Sequence, residues 1–329
     1  MARHVAARRT PTERTNLYRE ITDRIVAQLE VGCVPWVQPW SAGPGTASVA
    51  MPRNAATARA YSGINVMLLW ASGTQAGYPT QRWLTFRQAL GLGGYVRRGE
   101  RGTPVVYADR FTPADERQRA DRDGDAARQV AFLKRFTVFN VAQVDGLPSD
   151  LTTPPPPPRD DLILPRFRTL MDASGVTIRI GGDMAFYRPA DDVVVLPPPE
   201  AFHETINFHR TAAHELSHAT GHSSRLDREM KGPRGGACYA REELVAEISA
   251  AYICASLGIV PTVRHADYIG SWLEVLREDD RAIVRAASHA SKAADWLLGR
   301  LPDAENASGT AEDADEAGLA VPTAAAEAA

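Results

Sequence analysis

The pentapeptide HELSH at residues 214–218 and the segment YAREELVAE at residues 239–247 decide how the second half of this chain folds. On an α-helix, residues i and i+4 lie on one face, so His214 and His218 can reach a single ion. Glu215 lies one position round from His214, where its carboxylate can address a water molecule near that ion. The pattern therefore predicts a helix that carries a metal site of the kind that zinc hydrolases use.

A catalytic zinc site also needs a third protein ligand. Ser224 occupies the position where the long metzincin motif has a third histidine, which excludes that variant. Glu243 and Glu247 share one face of the next predicted helix. We predict that Glu243 is the third ligand and that Glu247 orients a liganding histidine through its other ring nitrogen, with the converse assignment open. Glu242 points about 100° away from that face and is expected to face solvent.

The chemistry expected of such a site assigns a role to Glu215. If Zn²⁺ binds, Glu215 is the predicted general base, which takes a proton from water and later delivers it to the leaving amine. Three residues are candidates for stabilising an oxyanion by residue type only, namely His222, Tyr239 and His265. A histidine pair at this spacing also occurs without metal, as exposed side chains or as a core histidine bonded to a carbonyl, and this alternative stays open.

Length and composition limit the class of protein. The chain has 329 residues, of which 44% are hydrophobic, so two domains with packed cores are expected and a wholly disordered or collagen-like chain is excluded. The three cysteines form no C-x-x-C pair, which argues against a disulfide scaffold or a cysteine zinc ribbon. No apolar stretch is long enough to span a bilayer. We therefore expect a cytoplasmic protein that does not contact membranes.

A run of five prolines at residues 154–158 predicts an extended linker between two domains, residues 1–153 and 159–301. The net charge differs between the parts of the chain. Residues 1–153 carry +7, residues 154–301 carry −3 and residues 302–329 carry −7. Because the last segment is rich in alanine and acidic residues and has almost no large apolar side chain, it is expected to be a disordered tail.

Apolar periodicity and residue preference predict an α+β fold class. Helices are expected over residues 16–29, 63–73 and 84–90, the last with Thr85 as a possible cap, and then over 162–173, 202–220, 240–257 and 266–298. Segments rich in β-branched and aromatic residues predict strands at residues 94–97, 103–107, 135–141, 176–180, 185–187 and 192–196.

Arginine supplies most of the positive charge of residues 1–153, and aromatic residues alternate with it. The candidate DNA-binding residues are Arg82, Trp83, Arg87, Arg97, Arg98 and Arg101, and Phe86, Tyr95, Tyr107 and Arg110 lie in the same stretch. Cationic side chains follow a phosphate backbone and aromatic rings stack on unpaired bases, so this combination favours single-stranded DNA. The alternative is that the aromatic residues form the core and the arginines a solvated surface.

Several longer segments bear a family resemblance. They are YSGINV at 61–66, WLTFRQAL at 83–90, GERGTPVVY at 99–107 and FTVFNV at 136–141, followed by HELSHATGHSSRLDR at 214–228 and YAREELVAEISAAYICASLGI at 239–259. From about Leu17 to Leu298 the chain resembles the ArdC-type antirestriction proteins. The first part of that family's chain also occurs in TraC-like conjugative primases, and the second part is a zincin-like metallopeptidase domain.

The resemblance implies an N-terminal α+β domain that binds single-stranded DNA and a C-terminal zincin-like domain, on a protein carried by plasmids or other mobile elements. Such proteins protect incoming DNA from host restriction during conjugative entry. His214, Glu215 and His218 match the family's H-E-x-x-H motif, and Glu243 and Glu247 lie in its E-E-L-x-A-E segment.

Three functions are compatible with these observations. The first is an antirestriction protein that binds single-stranded DNA and holds a zinc site. The second is a zinc protease that cleaves a host restriction or defence protein as its peptide substrate. The third is a non-enzymatic DNA coat protein in which zinc only stabilises the second domain.

Overall fold

The computed structural model describes residues 16–37, 50–112, 130–154, 160–230, 236–260 and 268–302, and six further positions between 113 and 129. Residues 155–158 of the predicted linker and residues 303–329 of the predicted tail lie outside the described residues. Among the helices that the structure describes, none combines the length and the apolar character needed to cross a bilayer.

The first half of the chain combines short helices with a four-stranded sheet. Its helices are α1 (Leu17–Glu30), α2 (Ile64–Ala76), α3 (Phe86–Gly91) and α4 (Ser149–Thr152). Its strands are β1 (Arg53–Asn54), β2 (Arg82–Thr85), β3 (Tyr95–Val96), β4 (Thr103–Phe111), β5 (Val130–Asn140) and β6 (Val144–Asp145). The four-stranded sheet has the order β1-β2-β5-β4, and β3 pairs with β6 in a separate ribbon.

Helix α3 begins with the cap that the sequence predicts. The Thr85 side chain accepts a hydrogen bond from the backbone of Gln88, and the Gln88 side chain accepts one from the backbone of Thr85. This reciprocal capping box satisfies two backbone donors that a helix start otherwise leaves unpaired. The prediction of Thr85 as the cap is therefore confirmed.

The second half packs helices on a small three-stranded sheet. Its helices are α5 (Asp160–Ala173), α6 (Thr205–Ala219), α7 (Ala237–Ser256), α8 (Ile269–Glu278) and α9 (Ala282–Leu298). Its strands are β7 (Thr177–Ile180), β8 (Phe186–Arg188) and β9 (Val193–Leu196), in the order β7-β9-β8. Together with the first half, this arrangement confirms the α+β class.

The helix predicted over residues 266–298 is two helices in the structure. Helix α8 ends at Glu278, and Asp279 adopts an extended backbone conformation. The Asp279 carboxylate accepts a hydrogen bond from the backbone of Arg281 at 3.0 Å, immediately before α9 begins. A short acidic side chain that bonds to nearby backbone favours such a break, although the apolar periodicity continues across it.

One apolar cluster has members from both halves of the chain. Helix α1 packs against α8 and α9, and the rings of Trp36 and Trp272 meet edge to face with their centroids 5.4 Å apart. Trp70 of α2 meets Tyr252 of α7 in the same way, at 5.7 Å. Helix α7 therefore packs on the first half of the chain near its C-terminal end and on α6 along its length.

Candidate metal centre and nucleic-acid interface

Helix α6 carries the HELSH motif in its last two turns and lies between β9 and α7. Ser217 and Ser249 are fully buried where α6 meets α7, and the Ser217 hydroxyl donates a hydrogen bond to that of Ser249 at 3.0 Å. Small side chains at a helix contact allow a short distance between the helix axes. The packing therefore brings the histidines of α6 within reach of the glutamates of α7.

Three side chains present metal-binding atoms to one point. The Nε2 atoms of His214 and His218 are 3.1 Å apart. Glu243 lies against both, with one carboxylate oxygen 3.4 Å from Nε2 of His214 and the other 3.5 Å from Nε2 of His218. Among the described residues these three form the group able to hold a metal ion, with donor atoms within 4.8 Å of one another.

The spacing of these donors fits a small divalent ion. Two ligands bound tetrahedrally to zinc at about 2.1 Å lie about 3.4 Å from each other, which is close to the separations among these atoms. Two imidazole nitrogens and one carboxylate are a ligand set found in catalytic zinc sites. The residues present therefore fit a divalent metal ion, and the donor set leaves a coordination position for water or substrate.

Glu247 contacts the other side of His214. One of its carboxylate oxygens lies 3.5 Å from Nδ1 of His214, whereas Glu243 faces Nε2 of the same ring. A carboxylate on the nitrogen that does not bind metal fixes the orientation and tautomer of a liganding histidine. The placement thus favours Glu243 as the ligand and Glu247 as the orienting residue over the converse assignment.

The expectation that Glu242 faces solvent is wrong. Its exposed fraction is 7%, and one carboxylate oxygen lies 3.3 Å from Nδ1 of His218. Arg228 donates two hydrogen bonds to the same carboxylate, at 2.6 and 3.0 Å. Because the chain after α6 folds back over α7, the helix face beside the metal-binding face is also covered. The clue in the sequence is that α7 has apolar or small residues on all sides.

The clustered carboxylates favour positive charge at this point. Burial disfavours a charged imidazole, yet the hydrogen bonds from His218 to Glu242 and Glu243 outweigh burial and raise the pKa of His218 to about 10. Burial also opposes ionisation of Glu243, but hydrogen bonds from both histidines hold the pKa of Glu243 far below its usual range. A metal cation supplies the same compensation without requiring a proton on the ring.

The remaining residues predicted for catalysis differ in their placement. Glu215 is buried on α6 between the two histidines. The Tyr239 hydroxyl lies 3.2 Å from that of Tyr268 and within hydrogen-bonding reach of Glu243, and its burial together with these neighbours raises the pKa of Tyr239. The His222 ring instead bonds to Ser224 at 2.8 Å. His265 lies outside the described residues.

Two of the residues predicted to bind DNA have other roles in the structure. The exposed fraction of Trp83 is 0%, and its ring packs against Tyr78 in a small core cluster, so it cannot stack on a base. The prediction for Trp83 is therefore corrected: central strand β2 is covered on both faces. Arg82 donates to backbone carbonyls of Asp150 and Leu151, a structural use of its guanidinium.

The other candidate arginines lie at the surface. Arg97 is ion-paired with Glu100 and Asp145, at 2.7 and 3.2 Å. The side chains of Arg87, Arg98 and Arg101 are exposed. These three arginines therefore remain available to contact phosphates.

A different surface combines aromatic and basic side chains. Tyr107 on β4 lies directly opposite Lys134 on β5, and Phe136 follows two residues later on β5, so the three side chains share one face of the sheet. Tyr107 and Phe136 each have an exposed fraction of 43%, and Lys134 is exposed. We refer to Tyr107, Lys134 and Phe136 as the hairpin platform. Only the pairing of β4 with β5 brings these residues together, so a search for arginine clusters misses Lys134 and Phe136.

Two protein families match separate parts of the chain. Residues 15–139 match the N-terminal domain of anti-restriction factor ArdC. Residues 165–289 match the zincin-like metallopeptidase family and include all the residues of the candidate metal centre.

Similar proteins extend this match over most of the chain. The DNA primase TraC of Escherichia coli is 39% identical over 295 residues, which make up 85% of this chain but only 27% of TraC. The metal-free crystal structure of the antirestriction protein ArdC from plasmid R388 is 38% identical with a TM-score of 0.72, over 87% of this chain and 97% of that one. Its Mn(II)-bound structure is 37% identical with a TM-score of 0.71, over 88% and 99%. The chain therefore belongs to the ArdC family of antirestriction proteins.

Proposed function

We propose that the protein binds single-stranded DNA through its first half, holds a zinc ion in its second half, and protects incoming DNA from host restriction. The single observation that carries the metal part is the convergence of His214, His218 and Glu243 at tetrahedral spacing. Manganese in the R388 relative shows that a member of the family takes a divalent ion. For this chain we favour zinc because two of the three donors are imidazoles.

The side chains at the metal centre support hydrolysis of an amide bond as a candidate activity. A zinc ion held by His214, His218 and Glu243 would supply a Lewis acid that polarises a substrate carbonyl and makes a nearby water molecule more acidic. Glu215 accepts the proton of the attacking water and passes it to the leaving amine, as its position beside His214 allows. We infer that Tyr239, whose hydroxyl lies near Glu243, donates a hydrogen bond to developing negative charge on the substrate oxygen. This supports a second candidate function, cleavage of a host restriction or defence protein.

A Glu215→Gln variant separates the candidate functions, because it keeps the size of the side chain and leaves the water without a base. The test is conjugative transfer of an unmodified plasmid into hosts with and without a restriction enzyme. If protection depends on hydrolysis, the variant loses it while retaining bound zinc. If the variant protects as well as the wild type, the hypothesis that protection requires cleavage of a host protein is excluded. DNA binding with a structural metal then accounts for protection.

For DNA binding, we propose that the rings of Tyr107 and Phe136 in the hairpin platform stack on unpaired bases while Arg87, Arg98 and Arg101 contact phosphates. Stacking of one base on an aromatic ring contributes about 1–3 kcal/mol, so replacing Tyr107 or Phe136 by alanine should weaken binding by about 5- to 150-fold. Fluorescence anisotropy with a labelled oligonucleotide measures this. Ile180→Ala, which removes an exposed apolar side chain from β7, is the matched control and should have no effect.

The electrostatic part of the proposal predicts that affinity for single-stranded DNA falls steeply as salt is added, because bound cations are released from the phosphates. Replacing Arg98 and Arg101 by glutamine should make this dependence shallower. Affinity that does not change with salt would refute the electrostatic account and leave the positive charge of residues 1–153 unexplained.

A further inference from the structure

We propose that Arg228 and Glu242 act together as positioning residues that hold the ring of His218 for metal binding. The proposal rests on the metal site described above. It concerns side chains that do not themselves present an atom to the ion, and it assigns a role to the buried ion pair between the chain after α6 and helix α7.

The contact between Glu242 and His218 orients the ring. The carboxylate lies 3.3 Å from Nδ1, while Nε2 on the opposite side of the ring lies 3.1 Å from Nε2 of His214 and 3.5 Å from Glu243. A hydrogen bond donated from Nδ1 to Glu242 places the proton of a neutral ring on that nitrogen. The lone pair of Nε2 then points to the metal position.

Arg228 in turn fixes Glu242. Its side chain is 4% exposed, and its guanidinium donates to both carboxylate oxygens of Glu242, at 2.6 and 3.0 Å. It also donates to the carbonyl of Ser217 and the hydroxyl of Thr220, each at 2.7 Å. Both of these acceptors lie at the end of α6, where the last helical carbonyls have no partner within the helix.

These bonds connect the two helices that supply the metal ligands. Arg228 reaches the end of α6 because the chain folds back there, with the Arg228 backbone donating to the carbonyl of Gly221 at 3.0 Å. One side chain thus binds the end of α6 and the glutamate beside Glu243 on α7. The fork of the guanidinium makes this possible, since an ammonium group cannot present the same planar set of donors.

Stability alone does not account for this arrangement. A buried ion pair gains little over a well-packed apolar pair, because removing both charges from water is costly. What an apolar pair cannot supply is an acceptor aimed at Nδ1 of His218. The polar pair is therefore expected where the orientation of that ring matters.

The test compares zinc affinity, measured by competition with a chromophoric chelator, in the full chain and in three variants. Glu242→Gln keeps the shape of the side chain but loses its charge, and zinc should bind about 10- to 100-fold more weakly. Arg228→Lys keeps the charge without the fork and should give a smaller loss. Glu274→Gln removes an exposed carboxylate from α8 and should bind zinc as the wild type does. Cobalt-substituted protein adds a second readout, since a rotated histidine changes the visible absorption of the ion.

The outcomes distinguish the positioning role of Arg228 and Glu242 from the metal site on which that role depends. If the wild type binds no zinc, the metal site itself is refuted. If the wild type binds zinc and Glu242→Gln binds it within twofold with an unchanged cobalt spectrum, the positioning role is refuted, whatever happens to the melting temperature of the metal-free protein. Should Glu242→Gln fail to fold, Arg228→Lys is measured instead. The positioning role is then refuted if Arg228→Lys binds zinc within twofold of the wild type and its cobalt spectrum is unchanged.

Discussion

Glu243 and Glu247 lie one helical turn apart on α7, yet they contact different nitrogens of His214. Glu243 faces Nε2 of both histidines, whereas Glu247 faces Nδ1 of His214 alone. The sequence alone leaves their roles interchangeable, because both share one face of the helix. The rotation of α7 about its axis, set by its packing on α6, separates them.

This separation predicts unequal effects of two identical substitutions. Glu243→Gln removes an anionic ligand and should weaken zinc binding by more than about 100-fold, while Glu247→Gln removes an orienting contact and should weaken it by about 10- to 100-fold. Isothermal titration of the metal-free protein with zinc measures both. A larger loss for Glu247→Gln would reverse the assignment.

Asp192 predicts how stability depends on pH. Hydrogen bonds from Arg225 outweigh burial and lower the pKa of Asp192, which also accepts a hydrogen bond from Tyr187 at 2.9 Å. Since the folded pKa lies below the unfolded value of about 3.9, the ionised form stabilises the fold above that pH, and the contribution is lost as the pH falls through the folded pKa.

Asp192→Asn should therefore lower the melting temperature at pH 7, and the difference from the wild type should shrink below about pH 4. Thermal unfolding followed by circular dichroism between pH 7 and pH 3 tests this. Asp183→Asn, at an exposed position on the preceding loop, is the control. A difference that grows as the pH falls would contradict the assignment.

At the scale of elements, the turn after α6 holds the candidate site in shape. Gly221 lies against the Arg228 side chain, and a Cβ atom there would be 3.0 Å from Nη2 of Arg228, 3.1 Å from its Cζ and 2.7 Å from the sulfur of Met230. Because Arg228 is held by four hydrogen bonds, it cannot move aside without releasing Glu242 or the end of α6.

Gly221→Ala should accordingly lower both the melting temperature and the affinity for zinc. Gly270→Ala is a matched control, since a Cβ atom at Gly270 in α8 meets no neighbour within 4 Å and alanine is the better helix former. The control should leave zinc binding unchanged. If Gly221→Ala binds zinc like the wild type, displacement of the turn does not alter the orientation of the His218 ring.

The elements show how far sequence reasoning extends. Most of the longer helices and strands follow from periodicity and residue preference, and Thr85 is a cap by local chemistry alone. The break between α8 and α9, and strand β2 at the start of the helix predicted over residues 84–90, do not follow from them. The burial of Trp83 and Glu242 does not follow from the sequence, because their surroundings are supplied by distant segments: β2 is an inner strand covered on both faces, and the chain after α6 covers Glu242. Local patterns report the period of a helix or strand, whereas burial of a second face depends on tertiary packing.

At the scale of the molecule, the start of α2 is bound to the second half of the chain. The Gly63 backbone donates to the Ser291 hydroxyl at 2.7 Å, and the Gly63 carbonyl accepts from the Tyr252 hydroxyl at 2.9 Å. Gly63 has φ of 59°, a conformation that favours glycine. Helix α7 thus carries Glu243 near one end and contacts the candidate DNA-binding half near the other.

Tyr252→Phe removes the buried hydroxyl and leaves the Gly63 carbonyl without that donor. The free energy of unfolding should fall by about 1–3 kcal/mol, in a single transition that includes both halves. Urea unfolding followed by far-ultraviolet circular dichroism measures this, with the exposed Tyr107→Phe as control. Two separate transitions in the wild type would show that the halves unfold independently.

The central claim is that the two helices α6 and α7 together bind one divalent metal ion. Anomalous diffraction at the zinc absorption edge, from crystals of the zinc-loaded protein, tests it most directly. The claim predicts one strong peak about 2.0–2.2 Å from Nε2 of His214, Nε2 of His218 and a carboxylate oxygen of Glu243. The absence of a peak at that point in zinc-loaded crystals, or a peak bound by other side chains instead, would contradict it.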